Sequence, residues 1–128
     1  MKNFTTIHHV AIIASDYKKT KQFYGEILSL PLIREHYRKD RNDYKLDYQL
    51  DNGAELEIFV VENPPKRPSF PEASGLRHLA FKTENIEAAV AYLEEKDVRC
   101  EPLRVDDFTE EKMTFFFDPD GLPLELHE

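Results

Sequence analysis

The chain has 128 residues, 41% of them hydrophobic and 33% charged, enough for one domain or two fused small modules to bury a core without staples. Its formal net charge of -8 argues against a surface that works by neutralising phosphates, so nucleic acid is not expected as a partner. The single cysteine, Cys100, cannot form an internal bridge, and the longest apolar run, Val10 to Ala14, is far shorter than the roughly 20 residues that span a bilayer, so no membrane span, no cleaved signal and a reducing cytoplasmic setting are expected.

Along the chain, residues 7–15 read as a β-strand, followed by a helix with Asp16 as N-cap and Tyr17, Thr20, Tyr24, Ile27 and Leu28 near helical spacing. Three stretches with strand character follow, at 32–38, 44–50 and 55–61. Residues 62–75 hold Pro64, Pro65, Pro68 and Pro71, half of the 8 prolines, and are expected to form a semi-rigid, extended connector. The plan then repeats: a strand at 79–83, a helix capped by Asn85 with Ile86, Ala89, Val90 and Leu93 as its apolar stripe, and strands at 98–105, 112–117 and 122–127. Each half reads βαβββ. The predicted class is α+β, a single domain over 1–128 made of module 1 (1–61), connector (62–75) and module 2 (76–128).

The two halves also repeat their chemistry. His9 opens His-Val-Ala-Ile and, 69 residues later, His78 opens His-Leu-Ala-Phe. Asn52-Gly53 leads to Glu57 and Asp120-Gly121 leads to Glu125, each glutamate four residues beyond its glycine. The spacing from histidine to glutamate is 48 residues in the first half and 47 in the second. Two histidines and two carboxylates at repeated positions are the donor set of a metal site shared by two related modules. A lone carboxylate between Leu56 and Ile58, or between Leu124 and Leu126, would carry a desolvation cost of several kcal/mol that a divalent cation offsets. If the modules pair edge to edge, the four side chains converge on the concave side of a curved mixed sheet.

Neighbouring candidates read differently. Glu55 shares a strand face with Glu57, but its counterpart is Pro123, which cannot ligate. His8 is expected on the opposite face from His9 as a structural residue, its counterpart being Arg77; His127 shares a face with Glu125 and could line the pocket; His36, in a charged stretch, is expected in solvent.

The strand His8-His9-Val10-Ala11-Ile12, the helix with Phe23-Tyr24, the segment from Gly75 to Phe81, and the ending from Asp118 through Leu126 resemble the vicinal oxygen chelate superfamily, and within it small bacterial glyoxalase I-like proteins. The resemblance covers essentially the whole chain and implies paired βαβββ modules around a metal cleft. It carries the family's four ligands onto His9, Glu57, His78 and Glu125, holding one divalent ion (Ni, Zn, Co, Mn or Fe). It further implies lyase or isomerase chemistry through an enediolate, with Glu125 or Glu57 as the base and Glu125 preferred, on a small α-ketoaldehyde–thiol adduct. A homodimer is also implied. The arginine that helps hold glutathione in glyoxalase I falls on Ile13 here, and the asparagine on Val61, which counts against glutathione as the thiol. Substrate-binding residues are left unassigned, with Arg34, Arg38, Arg67 and Lys112 as conceivable anionic anchors. The rival readings are an acyl-thioester epimerase, a ring-cleaving dioxygenase, a fosfomycin-modifying enzyme and a drug-sequestering binding protein. The intact fourth ligand argues against the dioxygenase and the fosfomycin enzyme, and the complete ligand set against the binding protein.

Overall fold

The computed structural model describes residues 2–128. The chain divides into two compact units, Met1–Pro65 and Lys66–Glu128. Each builds its own four-stranded mixed sheet, an α+β arrangement repeated twice.

In the first unit, β1 (His9–Ala14) leads into a short α-helix, α1 (Tyr17–Thr20), and then β2 (Leu32–Arg38), β3 (Asp43–Gln49) and β4 (Glu55–Val60). The sheet order is β1-β4-β3-β2, with β1 parallel to β4 and the other neighbours antiparallel. Asp16 caps α1 as expected, its carboxylate accepting from the Lys19 amide at 2.8 Å. The regular helix predicted beyond it instead winds as a π-helix over Lys21–Ile27, where the Leu28 amide reaches back five residues to the Phe23 carbonyl at 2.9 Å. Within this segment the adjacent Phe23 and Tyr24 are both buried, and Tyr24 lies near Tyr48 of β3 with ring centroids 6.2 Å apart. Ile12, Ala14, Leu46, Tyr48, Leu56, Ile58 and Val60 complete this core, alternating along their strands with the residues of the open face.

The second unit repeats the order with β5 (Leu79–Lys82), α2 (Ile86–Glu95), β6 (Arg104–Val105), β7 (Lys112–Phe117) and β8 (Pro123–His127), arranged β5-β8-β7-β6. Asn85 caps α2 by accepting from the Ala88 amide at 3.0 Å. Asn85→Ala is expected to destabilise the protein by about 1 kcal/mol, read by urea denaturation. The strand predicted over 98–105 shortens to two residues for local reasons. The Val98 amide is spent capping α2 on the Leu93 carbonyl, the Thr114 hydroxyl takes the Glu101 carbonyl at 2.6 Å, and Pro102 has no N–H to offer a ladder.

The proline-rich connector is not an extended rod. The Arg67 guanidinium donates to the carbonyls of Leu76 and Arg77, each at 2.9 Å, and to the Ser69 hydroxyl at 3.1 Å, folding residues 67–77 back on themselves. Matching hairpins deliver the two glutamates. Gly53 (φ 90°) donates to the Leu50 carbonyl and Gly121 (φ 84°) to the Asp118 carbonyl, each at 3.0 Å, and both turns need the positive φ that glycine adopts freely. No helix among the described residues is long and apolar enough to cross a membrane.

Candidate metal-binding residues

In the first unit, strand alternation puts His9, Ala11 and Ile13 of β1 and Glu55, Glu57 and Phe59 of β4 on the face turned away from α1, with Asp43, Lys45, Asp47 and Gln49 of β3 beside them. The β1–β4 ladder sets Ala11 opposite Glu57, and the His9 ring leans across to bring Nε2 within 3.1 Å of Glu57 Oε2. In the second unit, His78 immediately precedes β5 and brings its own Nε2 within 3.1 Å of Glu125 Oε1. Each predicted histidine thus meets its predicted glutamate. Among the described residues, no group of three or more His, Cys, Asp or Glu side chains is gathered in metal-holding geometry, so the donors stand as two pairs.

The donor chemistry of each pair fits a divalent ion. Neighbouring ligands on an octahedral ion with bonds of about 2.1 Å lie about 3.0 Å apart. An imidazole nitrogen and a carboxylate oxygen at 3.1 Å match one edge of such a shell in each unit.

The surroundings of the two pairs differ. Lys45 Nζ lies 3.5 Å from Glu57 Oε1 and donates at 2.8 Å to both oxygens of Asp47. Asp47 is fully buried and also accepts from Arg34 Nε at 3.0 Å, while Arg34 reaches on to Glu55. Glu55 is therefore engaged by a guanidinium and Glu57 is the carboxylate facing His9. A charged rail thus crosses all four strands: Arg34, Asp47, Lys45, Glu57, His9. Around Glu125 no such lysine or arginine rail is found among the described residues. Ala80 is its β5 partner and Phe115 its β7 partner, and the Phe115 ring meets His78 edge-on at 4.9 Å. Among the described residues Glu125 pairs with His78 and with no lysine or arginine. His78 Nδ1 is buried there without a hydrogen-bond partner.

The rail has a consequence in acid. Burial raises the Asp47 pKa, but hydrogen bonds from Lys45 and Arg34 outweigh it and hold the carboxyl below its ordinary value; the Arg38 guanidinium, bidentate at 2.7 Å, does the same for Asp43. A carboxylate whose folded pKa is depressed contributes stability above its unfolded pKa and loses it as pH falls through the folded value. Stability is therefore expected to drop below about pH 4. Asp47→Asn should be less stable at neutral pH and show a flatter acid limb, measured by denaturant titration across pH.

One expectation needs correction. His8 does not point away from His9: it precedes the first ladder residue of β1, is exposed, and turns its Nδ1 to 2.9 Å from His9 Nδ1. His127 ties the β6–β7 loop, with Nε2 3.3 Å from Asp106 and 3.2 Å from the Thr109 hydroxyl. Its pKa is raised chiefly by the Glu128 carbonyl, with Asp106 adding to this against burial. The four conceivable anionic anchors are all engaged elsewhere: Arg34 with Asp47 and Glu55, Arg38 with Asp43 and over the Phe59 ring, Arg67 in its own turn, and Lys112 with Glu87. His36 is exposed, as expected. Lys45 and Asp47 escaped the sequence reading. Their signal was the alternation of β3, which puts both on the Glu57 face once the register opposing Asp47 to Glu57 is known.

Residues 6–126 match the sequence model of the Glyoxalase/Bleomycin resistance protein/Dioxygenase superfamily. The chain is 52% identical over 128 residues to the uncharacterized protein YaeR of Escherichia coli (strain K12), covering 100% of this chain and 99% of that one. It is 27% identical over 141 residues to lactoylglutathione lyase of Schizosaccharomyces pombe, covering 94% of this chain and 46% of the enzyme. A glyoxalase family protein from Enterococcus faecalis has a crystal structure similar to this one, with a TM-score of 0.93, 62% identity and 98% of each chain covered.

Proposed function

The chain belongs to the glyoxalase/bleomycin resistance protein/dioxygenase superfamily, and from that premise we propose that it is a divalent-metal-dependent, glyoxalase I-like lyase or isomerase acting on a small α-ketoaldehyde–thiol adduct. The observation that carries this reading is the recurrence of one donor pair, imidazole Nε2 beside carboxylate at 3.1 Å, in both units. In the proposal His9, Glu57, His78 and Glu125 hold one metal ion, whether the two pairs come from one chain or from two copies in a homodimer. When bound, the ion would supply Lewis acidity that stabilises negative charge developing on the substrate's oxygens.

The chain's own residues then divide the work. His9 and His78 offer imidazole nitrogen donors. Glu125 takes the proton from the carbon bearing the thiol and returns it to the adjacent carbon, so that the hydroxythioether-ketone becomes a hydroxy thioester with no net change in atoms or electrons. Its assignment as base is supported by its surroundings: Lys45 competes for Glu57 Oε1, whereas no lysine or arginine pairs with Glu125 among the described residues. Phe115, its ladder partner on β7, stands beside it and meets the His78 ring edge-on.

The thiol we propose is not glutathione. Ile13, where the glyoxalase I arginine would fall, is 56% exposed on the His9 face, and the four cations considered as anchors are engaged elsewhere. The setting we propose is the cytoplasm, where the lone Cys100 stays reduced.

Elemental analysis of metal-reconstituted protein, followed by an ultraviolet assay of methylglyoxal with a panel of low-molecular-weight thiols, tests this reading. One metal per four donors with thiol-dependent turnover supports it and names the thiol. Metal without turnover moves the search to thioester epimerisation, and no metal overturns it. Chelation is expected to abolish turnover and re-addition of metal to restore it, assayed on one sample in sequence.

A further inference from the structure

We infer that His8 is a positioning residue that holds the orientation of the His9 ring and accepts its Nδ1 proton when His9 Nε2 is presented to a metal ion. The inference rests on the proposal that His9 is a ligand. The two imidazoles meet Nδ1 to Nδ1 at 2.9 Å, with rings edge-on at 86° and centroids 5.1 Å apart. A hydrogen bond between two nitrogens holds one proton, so the neutral pair has two arrangements. In one, His8 donates and the proton of His9 sits on Nε2, facing Glu57 Oε2 at 3.1 Å. In the other, His9 Nδ1–H donates to His8, and the lone pair of His9 Nε2 is free for a cation. Either way the Nδ1–Nδ1 bond survives, so ligation strands no donor on His9.

The placement of His8 suits this role and no packing role. Its carbonyl accepts from the Glu55 amide at 3.0 Å, which fixes its backbone at the head of the β1–β4 ladder. Its side chain is exposed and belongs to no core. The second unit lacks the device: Arg77 stands before His78 and stacks over the Phe70 ring at 5.1 Å, and His78 Nδ1 has no partner among the described residues. The ligand repeat is thus supported on one side only. Ligating histidines generally rely on such an outer partner, whose loss costs about 10–100-fold in metal affinity.

The experiment compares wild type, His8→Phe, which keeps a ring but removes the nitrogen, and His8→Asn, which can place an amide oxygen where Nδ1 stood. Zinc affinity is measured by chelator competition, and the His9 tautomer by long-range ¹H–¹⁵N spectra with and without zinc. Thermal unfolding checks the fold. His8→Phe should bind zinc about 10–100-fold more weakly and change the His9 tautomer mixture in the zinc-free protein, with His8→Asn recovering most of the affinity. Wild-type affinity and an unchanged His9 tautomer in His8→Phe would overturn this inference alone. A wild type that takes no zinc would instead overturn the metal reading beneath it.

Discussion

Glu125→Gln is expected to lower turnover by about 10²–10⁴-fold in protein saturated with metal, while leaving the thermal unfolding midpoint close to wild type. The amide keeps the volume of the side chain between Leu124 and Leu126 and can still hydrogen-bond to His78, whose Nε2 lies 3.1 Å from the present carboxylate. What is lost is the basic oxygen. The loss should fall on kcat more than on KM, because proton abstraction is felt in the transition state and little in the ground state. Exchange of the substrate C–H with deuterated solvent, followed by NMR, gives a second readout that does not depend on product formation. If Glu125→Gln turns over normally at full metal occupancy while Glu57→Gln is dead, the base is Glu57.

The strand and helix order was legible in the sequence because local signals and periodicity agreed there. Asp16 and Asn85 both cap as their spacing implied, and residues 32–38 and 112–117 are strands over the predicted spans. The misses have tertiary causes. Spacing near 3.6 suggested a regular helix after Asp16, whereas the segment winds as a π-helix with Phe23 and Tyr24 both buried, a widening that periodicity does not reveal. Proline density suggested an extended connector, yet one arginine, Arg67, finds three acceptors within its own segment and folds it. The pairing of His9 with Glu57 and of His78 with Glu125 could be proposed from a repeat, since repetition selects positions without any knowledge of contacts. His8 could not be read in that way. Alternation assigned it to the opposite face, and alternation lapses where the ladder begins, one residue later.

Glu57→Gln is expected to weaken metal binding by roughly 100-fold or more, since losing even an outer partner of a ligand costs about 10–100-fold. The fold should survive, because the buried charge nearby does not depend on Glu57: Lys45 keeps both oxygens of Asp47 at 2.8 Å, and Arg34 keeps its own bond to Asp47 at 3.0 Å. Glu55→Gln is the discriminating control. It lies on the same strand and face, two residues away, and removes the same formal charge, so a general loss of negative potential would weaken metal binding in both variants. A specific ligand role predicts a large loss in Glu57→Gln and little change in Glu55→Gln, whose present partner is Arg34. Chelator competition with zinc reads both affinities, and denaturation of the metal-free proteins reads the fold. Equal losses in the two variants would remove Glu57 from the ligand set and leave His9 paired with it for structural reasons alone.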